Sequence, residues 1–246
     1  MTMIEVCAGS YQDCLAAWHG GAKRVELNSA LSVGGLTPSV ATLRRVKKET
    51  GLKVICMVRP RAAGFCYDAQ DVAIMLEDAE ILLENGADGI AFGFLHEDGS
   101  VDVEMTNRMV ELVHRYHGEA VFHRAFDVTP DPFAAMETLI RCGVDRVLTS
   151  GQKAKAMAGK ELIAALQLKY GDKMQILAGS GMNASNAMEM IQDTGISQVH
   201  SSCKNYACDP TTVKDDVTYA YLSDGHEKDY DIVDEALVRK LVEAVR

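Results

Sequence analysis

The run Gly143-Val144-Asp145-Arg146-Val147-Leu148-Thr149 decides the fold. A helix-like segment ends at the glycine, two residues turn the chain, and a short β-rich stretch follows. Glycine closes helices because it enters the left-handed conformation without a Cβ penalty. The same unit stands at Gly21 before Arg24-Val25-Glu26-Leu27, at Gly51 before Val54–Val58, and at Gly86 before Gly89–Phe92. It returns at Gly118 before Val121-Phe122-His123, at Gly171 before Met174–Leu177, and at Gly195 before Gln198–His200. With Met3–Cys7 opening the chain, eight strands alternate with helices at a repeat of roughly 25–35 residues, the size of a βα unit.

Helix starts agree. Ser10 with Asp13 reads as a capping box, Thr37-Pro38 and Asp131-Pro132 as an N-cap before a first-turn proline, and Asp102 and Asn183 as further caps. Eight such units in 246 residues predict α/β architecture as one (β/α)8 TIM barrel over residues 1–246. A doubly wound sheet fits less well, because the first loop, Ala8-Gly9-Ser10, lacks the glycine-rich phosphate fingerprint. A long polar insertion at about 204–231, with β character near Val217–Tyr221, interrupts the pattern before a closing helix from about Asp234 to Val245. Insertions at a barrel mouth serve as lids or oligomer contacts, or simply run over the surface.

The net charge of −10, without a lysine- or arginine-rich block, argues against nucleic acid and anionic membranes as partners. The start Met1–Ser10 does not read as a signal peptide, and no apolar run is long enough to span a bilayer. Seven cysteines, odd in number and scattered, suit reduced thiols in a cytoplasmic protein.

In such barrels the working residues sit where strands run into the following loops. The run Val121–Asp127 reads as a strand whose alternation puts His123, Ala125 and Asp127 on one face. Three readings of the mouth compete. In the first, Gly179, Gly181 and Ser201 form an anion site with the start of the following helix, and Arg59 and Arg61, extended around Pro60, clamp a small anionic ligand. In the second, Glu5, Glu26, His123 and His200 hold a divalent metal or supply acid/base chemistry, with His123 oriented by Asp127. No HExxH-type spacing supports the metal, and no lysine stands at a strand end for Schiff-base chemistry. In the third, thiols bind a soft metal such as Cu(I), although the chain has no CxxC pair. The plain alternative to all three is a buried ion network that fills the barrel.

In order along the chain stand Glu5-Val6-Cys7, Arg24-Val25-Glu26-Leu27, Gly34–Ser39, Arg59-Pro60-Arg61, Phe122-His123-Arg124-Ala125-Phe126-Asp127 and Arg146–Gly151. Together these resemble the CutC family of copper-homeostasis proteins, from the N-terminus to about Ser202. The resemblance implies a cytoplasmic TIM barrel, usually a homo-oligomer, that handles copper as Cu(I) through a ligand at Cys7. An alternative is an enzyme using acid/base chemistry on a small phosphate- or carboxylate-bearing substrate. The chain departs from the family pattern at Asn28, where a second cysteine is common. It departs again at Ala62-Ala63-Gly64-Phe65, which lacks a loop carboxylate, and at Ala178-Gly179-Ser180-Gly181.

Overall fold

The computed structural model describes residues 2–246. Eight parallel strands close into a barrel in chain order: β1 (Met3–Ala8), β2 (Arg24–Leu27), β3 (Lys53–Met57), β4 (Gly89–Phe92), β5 (Glu119–Phe122), β6 (Arg146–Thr149), β7 (Gln175–Ala178) and β8 (Gln198–Ser201). β8 pairs back onto β1. Seven helices link them: α1 (Tyr11–His19), α2 (Val40–Glu49), α3 (Ala69–Glu84), α4 (Val103–Arg115), α5 (Pro132–Arg141), α6 (Lys160–Tyr170) and α7 (Ala187–Thr194), and α8 (Glu235–Ala244) completes the outer ring. The architecture is the (β/α)8 barrel that the repeat predicts.

Strand parity sorts the core. Ile4, Val6 and Ala8 of β1 face outward into one apolar layer shared with the helices. The helices meet that layer with single stripes; on α4 the buried set includes Thr106, Met109, Val110 and Val113, spaced as one helical face. Inside the barrel the two halves differ. Ile55, Met57, Ala91 and Val121 of β3–β5 form a small apolar cluster. The other half is polar, where such barrels are usually filled with branched aliphatic side chains.

The polar half is a continuous chain of partners. Lys53 pairs with Glu119, and Arg146 Nη2 meets Glu119 at 2.5 Å while its Nε donates to Gln175 at 3.2 Å. Gln198 bridges Gln175 (2.7 Å) and Arg24 (2.6 Å). Arg24 Nε then stands 2.5 Å from Glu5 Oε2, with both side chains buried. Register explains the meeting: Glu5 lies level with Arg24 on β2 and with His200 on β8.

Four local expectations are corrected. Thr37 does not cap α2; its hydroxyl binds the Arg59 backbone, and Ser39 accepts the Thr42 amide instead. Asn183 does not cap α7. Its side chain closes a turn onto Ser185, and the helix starts three residues later, after Asn186. Gly171 ends α6 with φ −62°, and Gly51 and Gly118 also lie outside the left-handed region, so those three glycines make no left-handed turn. The Asp102 and Asp131 caps form as read, and Ser10 caps α1, but its box with Asp13 is only half made: the Asp13 carboxylate accepts from the Gly9 and Val233 amides, not from Ser10.

The 204–231 stretch is an arm rather than a loose loop. β9 (Lys204–Cys208) and β12 (Asp229–Val233) pair antiparallel, and between them lie the short β10 (Val213–Lys214) and β11 (Val217–Thr218). Buried Asp13 of α1 stitches the arm down by accepting the Val233 amide at 2.8 Å. Among the described residues, no helix is long and apolar enough to cross a membrane.

Breaking a buried pair by removing one partner costs about 3–5 kcal/mol, while an exposed pair contributes under about 1 kcal/mol. Arg24→Met strands the Glu5 carboxylate, whereas Arg61→Ala removes only a partly exposed pair with Asp71. Urea denaturation is expected to show the first variant destabilised within that larger range and the second nearly unchanged.

Candidate metal cluster at the barrel mouth

A cavity of about 530 Å³ opens at the C-terminal end of the strands. On one side of it Cys7, Glu26 and His200 converge. A ring nitrogen of His200, the Cys7 sulfur and a Glu26 carboxylate oxygen all lie within 4.8 Å of one another. Register places them together, since Cys7 lies level with Glu26 and His200 level with Glu5, the residue two before Cys7 on the same face.

Each member has a fixed support. His200 Nδ1 is 2.9 Å from Glu5 Oε1, which leaves Nε2 as the nitrogen free to meet a ligand. Asn28 Nδ2 donates to Glu26 Oε2 at 3.0 Å and reaches the Cys7 sulfur at 3.6 Å. Asn28, expected to be a gap where a thiol might stand, is thus built into the cluster. Gly35 makes room for it, because a Cβ there would fall 2.3 Å from Asn28 Oδ1.

Burial raises the Glu5 carboxyl, but Arg24 and His200 more than offset it and bring its pKa down to about 2. Burial pushes the Glu26 carboxyl up, against the pull of the His200 charge, and it pushes the Cys7 thiol up as well. Burial alone would depress His200. The nearby Cys7 sulfur, the hydrogen bond to Glu5 and the charge of Glu26 prevail and hold it well above its ordinary value.

His123 departs from expectation. β5 ends at Phe122, and Arg124–Val128 form a short 3-10 turn, so strand parity does not carry from His123 to Asp127. His123 lines the cavity, with Nδ1 accepting the Ala125 amide at 3.1 Å. Burial, then the Arg59 charge, pushes its pKa down to about 3. Asp127 faces away from it. Its carboxylate accepts from the Thr149 hydroxyl (2.5 Å) and the Ser150 amide (3.0 Å), and pairs with Arg124 (2.8 Å). The expected His123–Asp127 pair does not form; Asp127 ties the fifth loop to the sixth.

The arginines also divide. Arg59 is buried against the cavity and donates to the carbonyls of Val33, Gly35 and Ala63. Arg61 is turned outward to Asp71 and the Cys66 carbonyl and takes no part in the cavity wall. Gly181 lines the cavity; Gly179 does not, packing instead against Leu148 and His200, and Ser201 is buried and donates to the Met182 carbonyl. Asn28, a strand-end position two residues after Glu26, is at the mouth as its spacing suggests. Sequence reasoning missed Lys155 and Phe65 as parts of the mouth, and neither carried a signal.

The model of the CutC family matches residues 2–205. A CutC family protein of Treponema denticola is 46% identical over 209 residues, 85% of this chain and 84% of that one. One from Xanthomonas campestris is 36% identical over 243 residues, 99% of this chain and 98% of its own, so the likeness extends through the arm. The crystal structure of a CutC protein from Streptococcus agalactiae, described as a candidate copper homeostasis protein, superposes with a TM-score of 0.77 at 30% identity, covering 82% of this chain and 99% of that one.

A buried neutral histidine makes stability depend on pH. Its pKa is lower folded than unfolded, so the unfolded chain binds the extra proton between about pH 6.5 and 3. Stability is therefore present above that window and lost as pH falls through it, by roughly 1 kcal/mol per pH unit. His123→Asn keeps an acceptor for the Ala125 amide and removes the titration. Melting the two proteins from pH 7 to 4.5 is expected to show the wild type losing stability faster than the variant.

Proposed function

The chain belongs to the CutC family, and on that premise we propose that it binds copper as Cu(I), held by Cys7 and His200 with Glu26 at the third side. The convergence of these three side chains carries the reading. Thiolate and imidazole are donors that Cu(I) takes. Support also comes from behind His200: metal-binding histidines usually give their second nitrogen to a carboxylate, which fixes the ring, and Glu5 occupies that place. The cargo is copper itself, released to other carriers or held back from harm. On this reading the protein works as a homo-oligomer in the cytoplasm, where reducing conditions keep Cys7 a thiol.

A second reading has one observation in its favour. Glu26 and His200 lie within 4.8 Å of each other at an open cavity, burial pushing the carboxyl up and its neighbours pushing the imidazole up, a pair suited to proton transfer. In that case Glu5 positions His200, His123 and Asp127 shape the mouth, and copper plays no part.

Competition against a colourimetric Cu(I) chelator under reducing conditions separates them. Cys7→Ser should weaken Cu(I) retention by well over tenfold, and Glu5→Gln, which removes the charge behind His200, by about tenfold or more. Asn28→Cys should strengthen it by adding a thiolate beside Cys7. His123→Asn should leave it alone. Retention that is equal in wild type and Cys7→Ser would end the copper reading.

A further inference from the structure

Across the cavity from the metal cluster, two buried side chains each keep one nitrogen without a hydrogen-bond partner. Arg59 is 5% exposed and its guanidinium is met by three backbone carbonyls. It forms no ion pair with any carboxylate among the described residues, and its Nε has no hydrogen-bond partner. A full positive charge is thus buried against dipoles alone, an arrangement that a counter-charge would relieve. His123, 3% exposed, uses Nδ1 as an acceptor, which puts the ring proton on Nε2, and Nε2 finds no acceptor. Phe65 lies against both, its ring 4.9 Å from the His123 ring and 5.3 Å from Arg59 Cζ. All three line the cavity.

The rim adds a further cation. Arg124 and Lys204 are engaged by Asp127 and Asp231. Lys155 is not; its stem lies across Gly181, where a Cβ would come 2.8 Å from Lys155 Cδ, and its ammonium forms no ion pair among the described residues. The carboxylates that could repel an anion are occupied. Asp13 accepts the amides of Gly9 and Val233, Asp231 pairs with Lys204, and Glu26 is bonded by Asn28 on the far side.

We propose that the wall formed by Arg59, His123 and Phe65 binds a small organic anion, with Lys155 covering its charged group from the rim. The anion carries a carboxylate or phosphate and a second oxygen that accepts the His123 Nε2 proton in a hydrogen bond. The volume of about 530 Å³ lies within the range of sites for ligands of that size. The two sides of the mouth then form one compartment: a metal cluster facing an anion seat. Anion binding here does not depend on the copper reading.

Isothermal titration of the metal-free full-length protein, with 2-oxoglutarate and with glycerol 3-phosphate as separate probes, tests this. Saturable binding of one or both is expected, and the probe that binds identifies the charged group. His123→Asn, which removes the Nε2 donor but keeps the cap, should weaken binding about tenfold. Lys155→Met should weaken it several-fold, more at low salt than at high. Cys7→Ser should leave it unchanged, so that failure of the copper reading and failure of this one are distinguishable. Absence of saturation in the millimolar range with both probes, or equal binding by wild type, His123→Asn and Lys155→Met, would overturn the proposal.

Discussion

One buried carboxylate organises this barrel. Glu5 stands in the middle of three neighbouring strands, Arg24 at 2.5 Å on one side and His200 at 2.9 Å on the other. A charge taken out of water is tolerated only when both its lone pairs and its charge are met. Parallel register supplies both partners at the same height, from β2 and β8. The arrangement then propagates in two directions. Below, Arg24 passes to Gln198, Gln175, Arg146 and Glu119, and so fills half of the interior. Above, the orientation of His200 sets where its second nitrogen lies, and with it the cluster beside Cys7 and Glu26. A replacement of these side chains by aliphatic ones of similar volume would cost the fold little in principle, so the polar layer is better understood through the mouth it supports.

The other wall has a different origin. The segments around His123 and Ser150, separate in sequence, are one hydrogen-bonded unit, because Asp127 gathers the Thr149 hydroxyl, the Ser150 amide and the Gln152 amide. That bracket bends the chain out of β5 just after Phe122. The bend turns the His123 ring toward Phe65 rather than along a strand face. Gly93 completes the fit, since a Cβ there would meet the ring at 2.6 Å.

The fold was legible because its signal is repeated: each strand from β2 to β8 follows a glycine at or just past a helix end, and an error at one unit leaves the count intact. The site was legible only in part. Strand parity correctly joins Glu5 to Cys7 and Glu26 to Asn28, but it fails from His123 to Asp127, since nothing in the local sequence says where a strand stops pairing. Arg59 and Arg61 have the same spacing and opposite fates. The difference lies in which carbonyls and carboxylates the surrounding loops bring near, and that is tertiary information. The meeting of Cys7, Glu26 and His200 depends on register between the first, second and last strands, which composition and spacing do not contain.

Closure of the cylinder has a temporal side. The hydrogen bond between Glu5 and His200 spans 195 positions of the chain, and β1 can pair with its second neighbour only after β8 has been synthesised. Contacts this distant in sequence form late and slowly. The meeting of Cys7, Glu26 and His200 is therefore assembled in the same event that shuts the ring.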